Sequence, residues 1–229
     1  MGRLGTFLTA VALTGTAPVA LADGGYTPPP SGLHIDFVYY DIDFDEYYRQ
    51  DDTVIAVGDD FALHRARGYW DVFSTEIEWE DYYAEFSGFL VVTCTDEMPS
   101  EDVRKAAYDF WPLEPGKSVK LETDGFTWNY KVVETGDVSI AGKTYDTVTI
   151  EGRDLLDEDG YFELMSVSTE LNTYLASEYD VMGKEIATAV AMPETDFRIT
   201  EDIREQLGQC AALLDTATSA QTKQKSQGD

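Results

Sequence analysis

Positive charge is scarce in this chain: 16 Lys and Arg stand against 44 Asp and Glu in 229 residues, a formal net charge of −28. Nucleic acids and anionic lipid headgroups are gripped through clustered Lys and Arg, so both are excluded as partners. Histidine is scarcer still. His34 and His64 are the only two, and neither sits in a recognisable catalytic motif, which argues against a reactive-cysteine enzyme. Long hydrophobic runs are missing after the N-terminal segment; those that remain, such as Phe89 to Val92, are no more than strand-sized. A phosphate loop is missing too. Gly116-Lys117-Ser118 has the ending of one, but Trp111 occupies the place of the first glycine, and Pro112 and Pro115 break the loop.

What the N-terminus does contain is an export signal. Arg3 supplies positive charge, an apolar stretch runs from Phe7 to Leu13, and Ala20-Leu21-Ala22 has the small-x-small form of a cleavage site. Residues 1–22 therefore read as a signal peptide, and the protein as periplasmic or secreted. Asp23, not cysteine, follows the cleavage site, so the lipid acceptor of a bacterial lipoprotein is absent there. In such a compartment two cysteines can pair, and Cys94 and Cys210 are expected to form a disulfide. The alternative is two buried, inert thiols.

The composition, 43% hydrophobic and 13% aromatic, is that of a folded chain. Residues 23–32, with Gly24-Gly25 and Pro28-Pro29-Pro30, read as a flexible, poorly packed leader, and residues 216–229 as a disordered tail. Between them, 33–215 reads as one domain. Period-two alternation dominates it. Val38, Tyr40, Ile42 and Phe44 are expected to face the core, with Asp41, Asp43 and Asp45 opposite; Phe73 to Glu80, Val119 to Thr123 and Phe126 to Val132 alternate likewise. Gly58-Asp59-Asp60, Asp124-Gly125, Gly136-Asp137, Ala141-Gly142 and Asp159-Gly160 are the predicted turns. Two segments depart towards helix. Ser100 caps the first, with Val103, Ala106, Ala107 and Phe110 as its stripe; Thr200 caps the second, with Ile203, Leu207, Cys210, Ala211 and Leu214. Residues 169–180 are ambiguous, with strand favoured over helix. The fold class is mainly β (α+β): a curved antiparallel sheet or half-barrel with two short helices packed on it.

The acidity admits two readings, solubility in a salty medium or a dedicated site for a cation or basic ligand, of which solubility is the simpler. Asp41, Asp43 and Asp45 have the spacing of a calcium loop, but Glu46 stands where that loop needs glycine. Asp154, Asp157 and Asp159 before Gly160 read as a hairpin turn. No metal ligands, catalytic residues or cofactor site are assigned. The doublets Tyr39-Tyr40, Tyr47-Tyr48 and Tyr82-Tyr83 each put one ring away from the core if they lie in strands, which makes Tyr40, Tyr48 and Tyr83 candidate ligand-face aromatics; ordinary packing is the other explanation.

Trp111-Pro112-Leu113, Pro115-Gly116-Lys117-Ser118-Val119, Trp128, Val132 and the run Val138-Ser139-Ile140-Ala141-Gly142-Lys143-Thr144-Tyr145-Asp146-Thr147 form one pattern. Residues 111–151 resemble exported bacterial β-sheet proteins of unknown function, broadly like the periplasmic lipoprotein carriers. The resemblance implies a curved antiparallel sheet cradling a helix, with a concave face suited to a ligand or partner, and it brings no catalytic residues. The expectation is thus an exported, non-catalytic binding or interaction protein whose ligand or envelope partner is unknown, not integral to a membrane. The alternatives are a carbohydrate-binding or glycan-cleaving protein and a small outer-membrane β-barrel.

Overall fold

A computed structural model of the protein describes residues 25–42, 45–72, 75–122, 127–156, 162–179, 183–191 and 199–217. The signal segment 1–22, residues 218–229 of the tail, Asp43, Phe44, the Asp124-Gly125 turn, and Asp157, Asp159 and Gly160 lie outside the described residues.

The described strands form a single antiparallel sheet of 11, and the chain enters it in the middle. From β1 (His34–Asp41), the strands β2 (Glu46–Val57), β3 (Phe61–Val72), β4 (Thr75–Phe86) and β5 (Leu90–Thr93) step outward to one edge. Helix α1 (Glu101–Asp109) then carries the chain to the other edge. There β6 (Ser118–Glu122) begins a return through β7 (Thr127–Ile140), β8 (Lys143–Asp154), β9 (Phe162–Ser168), β10 (Tyr174–Tyr179) and β11 (Gly183–Ala191). Strand β11 pairs with β1, so two meanders, one from each half of the chain, meet at the centre. The edges β5 and β6 are not paired to each other, and the sheet is unclosed among the described residues. A membrane-spanning barrel requires closure, because lipid cannot satisfy a free edge. No helix among the described residues is long and apolar enough to cross a membrane.

The sheet curls. Helix α1 packs against both β4 and β6, and Phe89, just before β5, meets Phe110 and Tyr130 with ring centroids 5.3 and 5.0 Å apart. The predicted Ala141-Gly142 turn is a two-residue hairpin with φ of 49° and 86°, the left-handed pair that suits the twist of the flanking strands, and Tyr145 returns to the core after it. Gly136-Asp137, in contrast, is no turn. Both residues continue β7, opposite Thr147 and Asp146, because β7 is long enough to pair with β8 throughout. Residues Tyr174–Tyr179 are strand, as favoured from the sequence.

The faces of β1 need a correction. Ile35 and Phe37 are buried, Tyr39 and Asp41 follow them on the same face, and Ile42 is 45% exposed. Both faces of β1 carry aromatic and aliphatic residues, so alternation alone does not say which is inward, and the inner face here turns polar towards Asp41.

Both helices form where their caps indicate. Ser100 Oγ accepts from Val103 N at 3.4 Å and Thr200 Oγ1 from Ile203 N at 3.3 Å. Val103 and Ala107 of α1 and its C-cap Phe110 are buried, and Lys117 Nζ donates to the carbonyls of Asp109, the last residue of the helix, and of Trp111 and Pro112 beyond it. Lys117 is thus a C-terminal cap in a string that only looks like a phosphate loop. The leader is not loose throughout: Tyr26 is buried against Trp111, with ring centroids 5.6 Å apart.

The second helix is α2 (Glu201–Gln206), followed by a 3-10 turn at Gly208–Cys210 and helical residues 211–217. The interruption has a cause. Gly208 adopts φ of 48°, and a Cβ there would sit 3.0 Å from the carbonyl oxygen of Cys94, which accepts from Gln209 N at 3.0 Å. At this point Cys94 and Cys210 are bonded, with Cα atoms 5.2 Å apart, and Leu207, Cys210 and Leu214 are buried. The bridge closes a loop with a sequence separation of 116 residues, long enough for a large loss of unfolded-state entropy. Replacing both cysteines by serine is expected to lower the unfolding free energy by about 2–5 kcal/mol. Urea denaturation measures this, and unchanged midpoints would contradict a structural bridge.

Candidate functional site

Alternation places one residue in two from every strand on the inner face, and the cross-strand register aligns these residues into rows. One row runs Trp79–Gly68–Gln50–Phe37, and the next Asp81–Ala66–Asp52–Ile35. Beyond β1 the first row continues to Ala187, while Tyr39 lies opposite Tyr48 on one side and Glu185 on the other. The smallest residues in these rows make room. A Cβ on Gly68 would lie 2.2 Å from the Trp79 ring, so the indole rests directly on the β3 backbone.

The result is a cavity of about 470 Å³, within the range of small-ligand sites. Six of its walls are aromatic: Tyr39 and Tyr48, stacked at 6.2 Å and 20°, with Trp79, Tyr83, Tyr174 and Tyr179. Asp41, Asp81, Glu185, Gln50 and Thr93 provide polar walls, and Arg49 is the one cation in the lining. A smaller cavity of about 140 Å³ adjoins it, sharing Val91, Tyr174 and Tyr179 and extending to Trp128, Tyr130 and Glu163.

Beneath the cavity lies a buried polar chain. Tyr83 donates its hydroxyl proton to Asp52 Oδ2, and Gln50 Nε2 donates to Asp52 Oδ1 at 3.0 Å. The Tyr174 hydroxyl lies beside Tyr83 and Glu185, close enough to act on their titration, while Ser177 Oγ is buried without a hydrogen-bond partner. Thr173 Oγ1 donates to Glu85 Oε2 at 2.8 Å, while Glu85 Oε1 has no hydrogen-bond partner. Glu85 is fully buried and Glu185 is 6% exposed. Burial pushes Glu85 and Glu185 up to about 8, helped by the negative charge of Asp52, and burial lifts Asp52 to about 6 against the pull of its two donors. Half-buried Glu163 is raised to about 7 by desolvation, opposed by a hydrogen bond from Tyr130. Burial also holds His64, stacked on Tyr83 at 4.6 Å, neutral by lowering it to about 3. No Lys or Arg forms an ion pair with Asp52, Glu85 or Glu185 among the described residues.

Each tyrosine doublet is split between faces. Tyr48 and Tyr83 line the cavity together, whereas Tyr40 lies on the outer face, opposite Tyr47 and donating to Asp45 Oδ1 at 2.8 Å. Its neighbour Tyr39 takes the inward place. Sequence reasoning missed Asp52, Glu85 and Glu185, though Glu85 between Ala84 and Phe86 was a signal, being an acid flanked by core residues. Asp43, Asp157 and Asp159 of the two acidic motifs lie outside the described residues. Among those described, no group of three or more His, Cys, Asp or Glu has the arrangement of a metal site.

The raised carboxyls fix a pH dependence. Unfolded Glu titrates near its ordinary 4.5, so native Glu85 and Glu185 hold protons that the unfolded chain has lost, and their contribution falls as pH rises towards and through about 8. Native His64, neutral down to about 3, costs stability only as pH falls below its ordinary 6.5. Unfolding free energy is therefore expected to drop between pH 6 and 9 by about 2 kcal/mol or more, and Glu85→Gln should flatten the drop. Chemical denaturation across this range checks it; a flat wild-type profile would contradict the burial of these acids.

No protein-family model matches the chain, and no characterised protein matches it by sequence. Two solved structures are similar to it in fold. One is a Bacteroides fragilis protein provisionally described as exported, with a YmcC-like fold: 11% identity and a TM-score of 0.42, over 73% of this chain and 99% of that one. The other is a Parabacteroides distasonis protein provisionally described as a lipoprotein: 10% identity and a TM-score of 0.39, over 74% of this chain and 100% of that one.

Proposed function

We propose that this is an exported, non-catalytic binding protein of the periplasm or cell envelope, and that its ligand occupies the cavity on the inner face of the sheet. The observation that carries the reading is the cavity lining: six aromatic rings and three acidic side chains gathered from both halves of the chain. A core built only for stability would fill this space with aliphatic side chains, since voids forfeit packing. Export is supported by the N-terminal segment and by the Cys94–Cys210 bridge, which suits an oxidising compartment.

Carbohydrate binding is a second reading, favoured by the stacked Tyr39–Tyr48 pair beside Asp41, since flat rings and carboxylate acceptors suit a sugar's faces and hydroxyls. Glycan cleavage draws less support. The buried acids Asp52 and Glu85 do not line the cavity, and the lining acid Glu185 is itself only 6% exposed.

Native mass spectrometry of the protein purified from its own envelope tests the reading. A small-molecule adduct is expected on the wild type and is expected to be lost in Trp79→Leu with the disulfide intact. An adduct that persists in the variant, or a stoichiometric polypeptide partner with the cavity empty, would refute it.

A further inference from the structure

We propose that the cavity ligand is an organic cation, an ammonium group held against aromatic faces and carboxylates. This rests on the cavity being the ligand site and adds the chemical class of the ligand.

Three observations converge. The rings of Tyr39, Tyr48, Trp79, Tyr83, Tyr174 and Tyr179 enclose the space from β1, β2, β4 and β10, so a central group meets aromatic rings from several directions. Ring faces carry negative potential, and a cation with little hydration gains most from them when water is excluded. The polar walls are acidic in excess: Asp41, Asp81 and Glu185, the last protonated by its burial and able to release that proton to an arriving cation, stand against Arg49 alone. Behind those walls Glu85 Oε1 is buried and unpartnered, and Asp52 is held only by the uncharged donors Tyr83 and Gln50. Asp52, Glu85 and Glu185 have no ion pair with Lys or Arg among the described residues, and a cation arriving beside such acids is favoured because it draws them to their ionised form. On the larger scale, a chain of net charge −28 raises the local concentration of cations and lowers that of anions.

A neutral sugar uses the same rings and can donate its hydroxyls to the acids, but it has no charge to gain from their excess. The discriminating experiment therefore compares ligands of equal shape. Choline chloride, its uncharged isostere 3,3-dimethyl-1-butanol, and maltose are titrated into the full exported chain by calorimetry. Choline is expected to bind at least tenfold more tightly than the isostere. In the double variant Asp81→Asn, Glu185→Gln its affinity should fall at least threefold, with binding of the isostere unchanged; Trp79→Leu should weaken both. Both substitutions in the double variant keep side-chain size, and a wild-type disulfide and circular dichroism spectrum show that each variant is folded.

Equal or tighter binding of the isostere or maltose, still weakened by Trp79→Leu, would overturn the cation and leave the cavity as the site. Choline binding untouched by Trp79→Leu would place the cation elsewhere on the acidic surface and overturn the proposal. Absence of choline binding overturns it as well, while an envelope-derived adduct in the cavity would still support the broader reading.

Discussion

The antiparallel pairing of β1 with β11 is the constraint on which the site depends. Each meander contributes only part of the cavity: Tyr39, Tyr48, Trp79 and Tyr83 come from the first, and Tyr174, Tyr179 and Glu185 from the second. The pairing that sets Tyr39 opposite Glu185 joins them. It ends at Gly183, with φ of 152°, where a Cβ would lie 2.0 Å from the Tyr40 carbonyl oxygen. Only glycine lets the two chains approach there. These contacts link residues at opposite ends of the sequence, so the central seam has the highest loop-closure cost in the fold. The Cys94–Cys210 bridge reduces the entropy of the unfolded chain, tying the segment after β5 to the segment after β11.

Curvature follows from the same arrangement. With β5 and β6 as unpaired edges, the sheet is free to bend, and α1 together with the Phe89–Phe110–Tyr130 contacts holds it bent. The inner face then becomes too confined for all its large side chains, and the register sets small residues, Gly68 and Ala66, opposite large or charged ones, Trp79 and Asp81. Acids on that face lose solvent. Their protonation, their hydrogen bonds to tyrosine and threonine, and the open space above them are all consequences of an acid-rich sequence bent around itself.

Much of the fold is legible in the sequence because its signals are local. The caps at Ser100 and Thr200, the Ala141-Gly142 hairpin, the stripes of both helices and the pairing of the only two cysteines all depend on neighbours in the chain or on a simple count. What was not legible is the assignment of faces. In β1, aromatic and aliphatic residues alternate with aspartates on a strand whose inner face is apolar at Phe37 and polar at Asp41, so the hydrophobic pattern selects the wrong side for Ile42. Gly136-Asp137 looked like a turn because glycine-aspartate usually marks one; long-range pairing with β8 overrides that preference. Asp52 and Glu185 were hidden among 44 acids, because their burial is a property of the curled sheet and not of their immediate neighbours; only Glu85, between Ala84 and Phe86, carried a local sign.

The account turns on which side of the sheet meets the ligand, and Tyr47 and Tyr48 are adjacent residues on opposite sides of it. Tyr48 lines the cavity, while Tyr47 is 73% exposed on the outer face. A photoreactive phenylalanine analogue placed at each position in turn, irradiated in the native envelope and read by intact mass, compares the two faces directly. A small-molecule adduct at position 48 and none at 47 is the predicted result; adducts at 47 alone would contradict the inner face as the functional one.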